Sequence, residues 1–324
     1  MPKTVLLDLF KDCRLCPRRC GVNRQDNKRG ALRGFCGESS LLRVAYVGPH
    51  FGEEPPITGK NGSGTIFFSG CSLKCSTCQN YQISKEGLGT PVKLLELYHK
   101  AEAMIRVDQV HNINLVTPDH FFPHVFRLVT LLRRHGYDLP VIYNLSGYQN
   151  TASLKQAEDY VDIYLPDFKY SDPVLSKKLS KCEDYSTIAI EAIAEMVRQK
   201  GFLDAAEEPE TLAKKGVLVR HMILPGMIQN SLDALTILFI EFGSGLPVSL
   251  MSQYYPVLPQ AERNLNRPIT QGEFDRVYAH VLDLGFKNLY VQFPDQNPNI
   301  KASFPPFLPD FTMETPFSTH GSSH

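Results

Sequence analysis

Three cysteines in one short stretch, Cys71-Ser-Leu-Lys-Cys75-Ser-Thr-Cys78, carry the strongest chemical signal in this sequence of 324 residues. A loop with C-x3-C-x2-C spacing wraps one face of a cube and presents three sulfurs at three corners. Three thiolates then ligate three irons of a [4Fe–4S] cluster and leave the fourth iron open. An open iron chelates a small molecule, as the open position of a catalytic zinc does. The same residues also admit a three-cysteine zinc site. Upstream stand Cys13, Cys16, Cys20 and Cys36, with Pro17, Gly21 and Gly37 at the turns. Four thiolates leave no open position, so this set closes a zinc site or holds an additional iron–sulfur cluster, structural or electron-transferring. Cys182 stands alone and reads as a buried thiol.

The elements that must position these residues are legible from the apolar pattern. Runs rich in β-branched and aromatic residues occupy 64–69, 112–117, 139–144, 161–168, 216–224, 246–251 and 288–293. Segments of helical period lie between them, at 91–107, 121–135, 151–159, 184–200, 230–242 and 270–284. Strands alternating with helices make βαβ units around a parallel sheet. This many units suit an α/β fold, a partial (β/α)6 TIM-like barrel with an N-terminal four-cysteine metal-binding extension. The Cys71–Cys78 loop follows the first strand, at the mouth where barrels place their sites.

Three regions result. Residues 1–50 are the N-terminal Cys-rich metal-binding module, 51–292 the partial barrel, opening on a Gly/Pro-rich loop at 51–63, and 293–324 a Pro/Phe-rich C-terminal tail. Prolines exclude helix and central strand from the tail. Its phenylalanines are expected to pack in part on the barrel, and the final GSSH stretch to be disordered.

Charge and composition narrow the classes. Lys and Arg number 34, as do Asp and Glu. A net charge of zero argues against chain-wide binding to nucleic acid or an anionic membrane. Within residues 1–50, ten basic residues face four acidic ones. Such an excess offsets the negative charge of metal-bound thiolates, or offers a docking patch. No run approaches the ~20 apolar residues of a membrane span, and the N-terminus does not read as a signal peptide. Cysteines in two tight groups point to a reducing compartment, and the expected location is cytoplasmic.

The cysteine loop behind a first strand resembles that of the radical S-adenosylmethionine (SAM) enzymes. The strings CRLCPRRCGVNR, GCSLKCSTCQN, NINLVTPDH, VIYNLSGY, DIYLPDFKY, VRHMILPG and LMSQYYP look like the PflX-type subgroup, related to the pyruvate formate-lyase activating enzyme. The resemblance implies an activating-enzyme-like oxidoreductase. Its [4Fe–4S] cluster binds SAM at the open iron and reductively cleaves it, and the 5′-deoxyadenosyl radical abstracts hydrogen from a substrate. It further implies an electron donor such as flavodoxin or ferredoxin, and a protein or peptide as substrate. A small metabolite is the alternative substrate. A metal-binding adaptor with a non-catalytic barrel, docking through its basic module, is the alternative function.

The resemblance also implies which strand ends hold SAM. Thr117, with Asp119, stands where the family has a Gly-Gly-Glu-type motif. Asn144 and Ser146 follow the third strand, Asp167 and Lys169 the fourth. Arg220, on the fifth, is the expected partner of the SAM carboxylate. Thr77 replaces an aromatic residue usual before the third cysteine, so the adenine contact is expected to pass to Gln79, Asn80 or Tyr81, and to Asn80 first. His221 alternates to the opposite face from Arg220 and is a substrate-side candidate, with Gln253 and Tyr254 after the sixth strand.

Overall fold

The computed structural model describes residues 3–26, 33–204, 211–294 and 308–317. Its strands are β1 (Arg43–His50), β2 (Ser63–Phe68), β3 (Thr90–Pro91), β4 (Ile113–Val116), β5 (Val141–Leu145), β6 (Ile163–Pro166), β7 (Gly216–Val217), β8 (Val219–Met222), β9 (Val248–Met251) and β10 (Leu289–Gln292). Its α-helices are α1 (Lys3–Asp8), α2 (Pro55–Thr58), α3 (Tyr81–Ser84), α4 (Leu94–Ala103), α5 (Phe122–Arg134), α6 (Thr151–Ala157), α7 (Pro173–Ser180), α8 (Tyr185–Lys200), α9 (Ile228–Phe242) and α10 (Gln271–Leu284). Among the described residues no helix is long and apolar enough to cross a membrane.

Strands β2, β4, β5, β6 and β7 pair in parallel, as do β8, β9 and β10. A parallel bridge between Asp167 and Arg220 joins the two sheets, so β7 and β8 act as one interrupted strand beside β6. The array is a partial barrel: β10 ends one edge, and antiparallel β1 and β3 extend the other. The segment 43–50, assigned above to the N-terminal module, therefore belongs to the sheet. Helix α7 lies in a stretch that the apolar pattern left unassigned.

Alternation along each strand sorts the side chains. Tyr143, Tyr164, Val219 and Leu250 join the main core with the helices. Ile142, Ile163, Leu165 and Leu218 face inward, where Ile57 of α2 meets them. Pro55 and Pro56 start α2 with φ already helical. Burying a side chain the size of Ile57 stabilises the fold by ~1.5–3 kcal/mol. The tail also packs on the barrel, as expected: Phe311 and Phe317 lie against Phe67 at 5.2 and 5.3 Å between centroids. The GSSH terminus lies outside the described residues.

Helix α10 is tied to the mouth loop after β8. Thr270 and Glu273 form a capping box, and Glu273 also accepts from Gly226 N–H at 2.7 Å. Hydrogen bonds from Arg267 hold the Glu273 carboxyl down at about 2, against an ordinary 4.5. A carboxyl lowered in the folded state lends stability above its unfolded pKa and loses it as pH falls through the folded one. Glu273→Gln is expected to cost about 1 kcal/mol at neutral pH, the usual scale for a cap or an exposed pair. Thermal melts should show that difference shrinking as pH falls below 4.5 towards 2.

Candidate active site

One cavity opens at the C-terminal ends of the parallel strands. Cys71, Cys75, Cys78 and Asn80 line it from the loop after β2. Thr117, Asn144, Ser146, Asp167, Lys169 and Arg220 line it from the ends of β4, β5, β6 and β8, and Gln253 from beyond β9. Residues from five separate parts of the sequence thus converge on the cysteine loop, where a barrel collects its chemistry.

Local backbone shapes the loop. Gly70 has φ +79°, and a Cβ there would meet Glu38 Cγ at 2.5 Å and the Cys36 carbonyl at 2.9 Å. Only glycine fits both the angle and the space. Gly70 N–H donates to Ile83 O at 2.8 Å, and Ser76 N–H to Leu179 O at 2.7 Å, pinning the loop between α3 and α7. Lys74, between Cys71 and Cys75, is left-handed at φ +50°. Ser84 Oγ donates to Cys78 Sγ at 3.4 Å. Burial pushes the Cys71 and Cys78 thiols up, and the neighbouring thiols add to it. Two buried sulfurs and a half-buried third, each opposing the others' ionisation, suit a cationic cluster core, which removes that repulsion. Among the described residues Asn80 Oδ1 is buried without a partner at the same wall, an acceptor suited to a ligand amine. The residues present therefore fit an iron–sulfur cluster with a bound amino-acid-bearing ligand. Among the described residues no three His, Cys, Asp or Glu side chains gather tightly enough for a single metal ion.

Thr117 ends β4 at φ +56°, a left-handed conformation that a β-branched residue rarely takes. Its N–H donates to Asn144 O at 2.9 Å. Strain of this kind costs about 1–3 kcal/mol and collects at functional sites. Thr117→Gly is expected to raise stability by up to about 1 kcal/mol, the strain relief being partly offset by glycine's chain entropy. Chemical denaturation of both proteins checks it.

At the cavity floor a polar layer crosses the barrel. Arg220 donates to Asp167 Oδ1 at 3.1 Å, Glu53 Oε2 at 3.2 Å and Asn144 Oδ1 at 2.5 Å. Glu53 Oε1 also accepts from Asn114 Nδ2 at 3.0 Å and Asn144 Nδ2 at 3.3 Å. Lys169 Nζ lies 2.5 Å from Asp167 Oδ2. Burial opposes the Lys169 charge, but Asp167 and the thiols of Cys75 and Cys78 hold its pKa above the ordinary value. Burial likewise opposes the Asp167 charge, but Lys169 and Arg220 hold that carboxyl down. Glu53 comes from the 51–63 loop and was absent from the sequence-based candidates. The adjacent acids Glu53-Glu54 beside two prolines were its only signal.

Three placements correct the expectations. His221 faces the surrounding helices, fully buried, with Nδ1 2.6 Å from Phe168 O. Arg220 takes the inward register, so strand alternation removes His221 from the substrate side. Tyr254 is turned away too: its hydroxyl donates to Leu265 O at 2.7 Å, because the chain leaves the mouth after Gln253. Asp119 does not line the cavity; it accepts from Ser72 Oγ at 2.7 Å behind the cysteine loop. The N-terminal cysteines lie on that rear side. Cys13, Cys16 and Cys36 are buried and Cys20 is exposed.

Comparison with known proteins adds relatives. The chain is 29% identical over 280 residues to an uncharacterized protein of Methanocaldococcus jannaschii, covering 83% of this chain and 74% of the relative. Solved structures that match in part include HydG, a maturase of the [FeFe]-hydrogenase (TM-score 0.48, 13% identity, 70% of this chain and 50% of that one). Another is Streptococcus suis SuiB bound to S-adenosylmethionine (TM-score 0.44, 10% identity, 72% of this chain and 51% of that one). The chain thus spans about half the length of either. Residues 57–177, from α2 into α7 and including all three cysteines of the cavity wall, match the family model described as a 4Fe–4S single cluster domain.

Proposed function

We propose that this chain is a radical SAM enzyme working in the cytoplasm. The observation that carries the reading is the convergence of Cys71, Cys75 and Cys78 with polar strand-end residues on one cavity. When bound there, a reduced [4Fe–4S] cluster supplies the electron that cleaves SAM into methionine and a 5′-deoxyadenosyl radical. Cys71, Cys75 and Cys78 hold three irons, and the lining beside them receives the cofactor. Asn80 offers its unpaired Oδ1 to an amine. Lys169, paired with Asp167, would receive the carboxylate. Asn144 and Ser146 bind ribose hydroxyls. Arg220 has committed three of its five N–H donors to Asp167, Glu53 and Asn144. It therefore shapes the cradle and reaches the cofactor only through the remainder. Gln253 lines the far, substrate side.

The substrate is a protein or peptide, a reading supported by the likeness of the strand-end strings to activating enzymes. The cysteines at positions 13, 16, 20 and 36 hold a second metal centre, and an external electron donor such as a flavodoxin or ferredoxin serves the enzyme. Addition of SAM to the reduced, reconstituted protein tests the cofactor site. The electron paramagnetic resonance signal of the cluster should change shape on SAM binding, and an unchanged signal at saturating SAM would refute the assignment.

A further inference from the structure

The N-terminal cysteines sit against the catalytic loop, not apart from it. Arg18 Nε donates to the carbonyl of Ser72, inside that loop, at 3.1 Å. The Cys36 carbonyl lies 2.9 Å from where a Cβ of residue 70 would stand, so the backbone of Cys36 passes directly beside the residue preceding Cys71. Cys20 Sγ and Cys36 Sγ are each 3.6 Å from a Cβ placed at Gly34, so the two sulfurs border the same small space. Phe35 N–H donates to Cys20 Sγ at 3.3 Å, and Arg24 Nη1 to Cys13 Sγ at 3.6 Å. Donors aimed at sulfur are the usual outer shell of a metal-bound thiolate.

Arg24 decides the charge of this site. It is 0% exposed. Its other donors go to the carbonyls of Glu38, Ser39 and His120, at 3.1, 2.8 and 2.6 Å. The rings of Phe10 and Phe121 flank it at 4.7 and 5.5 Å. Among the described residues it forms no ion pair with a carboxylate. A guanidinium stays protonated, and a buried cation without an anion is strongly destabilising. Among the described residues, the anion-forming side chain that it hydrogen-bonds is the thiol of Cys13. Four metal-bound thiolates would supply the missing negative charge. A zinc would meet the same charge requirement but could carry no electron; the passage of the Cys36 backbone beside Gly70, next to Cys71, favours a redox-active cluster.

Resting on the radical SAM reading, we infer that Cys13, Cys16, Cys20 and Cys36 hold a redox-active iron–sulfur cluster, with Arg24 as its buried counter-charge, through which electrons enter the barrel site. A low-potential one-electron donor protein is oxidised by one electron at the exposed Cys20 side. The N-terminal cluster is reduced by that electron and passes it on past the Cys36–Gly70 contact.

The test uses the full chain, reconstituted anaerobically with iron and sulfide while zinc is also offered. The Cys71/Cys75/Cys78→Ala triple variant should keep about half of the wild-type iron and acid-labile sulfide, as expected if one of two cubanes remains. It should also show a signal on dithionite reduction. Zinc in place of iron, or a folded variant without metal, would overturn the inference. In the same background Arg24→Met should move the midpoint potential to more negative values, since a cation favours the reduced, more negative cluster, and Arg24→Lys should restore most of it. Where Arg24→Met does not fold, Arg24→Gln gives the same comparison. An unchanged potential would remove Arg24 from its role. The radical SAM reading fails separately: wild type with both clusters intact that leaves SAM uncleaved contradicts that reading, while the triple-variant metal count still stands.

Discussion

Cys75→Ala is expected to abolish SAM cleavage, bringing 5′-deoxyadenosine down to the level of a protein-free control, and to remove the catalytic cluster with it. Cys71, Cys75 and Cys78 each hold one corner in the proposed site, and a cubane with only two protein ligands exposes a second iron and breaks down. No neighbouring thiol can step in from the cavity, since the cavity is lined by those three cysteines and no other among the described residues. Iron and sulfide should fall only by the share of that one cluster. Cys182→Ala is the control. That thiol is buried in the main core, behaves as a small hydrophobe, and should leave iron content and cleavage intact.

Arg220→Ala should be the most destabilising single change in the barrel interior. It leaves Glu53 and Asp167 buried without their shared cation, and breaking such a pair from one side costs ~3–5 kcal/mol. For a chain of this size that is a fall in melting temperature on the order of 10 °C. Arg220→Lys should recover part of it, because a point charge cannot serve three acceptors in one plane. Glu53→Gln added to Arg220→Ala should recover more, since the unpaired charge is then gone. The sign of the pH dependence follows from Glu53. Burial already pushes its carboxyl above the ordinary 4.5, with Arg220 pulling the other way. Without Arg220 it rises further. A raised folded pKa lends stability below the unfolded value and loses it as pH climbs through the folded one. The variant should therefore be closest to wild type near pH 4.5 and fall behind as pH rises. A gap independent of pH would mean that Glu53 keeps its charge unaided.

Much of this architecture was readable from periodicity. The apolar runs at 112–117, 246–251 and 288–293 fall on β4, β9 and β10, and the helical segments at 184–200 and 270–284 on α8 and α10. Each of these elements buries one face, and burial enforces the period. The strand-end residues Asn144, Ser146, Asp167, Lys169 and Arg220 share one cavity because parallel strands all end at the same mouth. Other features were hidden for physical reasons. His221 and Arg220 are both polar, and the register that decides between them is set by the pairing of β8 with β9. Tyr254 follows a strand end, but the loop beyond carries it to Leu265. Glu53 lies in a segment with the composition of a solvent-exposed loop, and only its docking across the barrel, where it meets Arg220, explains why an acid stands there. Strand β1 had its apolar run, Val44 to Val47, but its place next to the cysteine module and its Gly48-Pro49 ending masked it. The left-handed Thr117 has no local signature at all, since threonine is among the least expected residues at such an angle.

Under the proposed function this chain cleaves SAM by one-electron reduction at the Cys71–Cys75–Cys78 loop. The most direct measurement is chromatographic quantification of 5′-deoxyadenosine after the anaerobically reconstituted wild-type chain is mixed with SAM and dithionite. The expected result is 5′-deoxyadenosine and methionine in equal amounts, dependent on both iron and reductant. A protein that carries its full complement of iron and sulfide, is reduced by dithionite, and still returns SAM unchanged would contradict it.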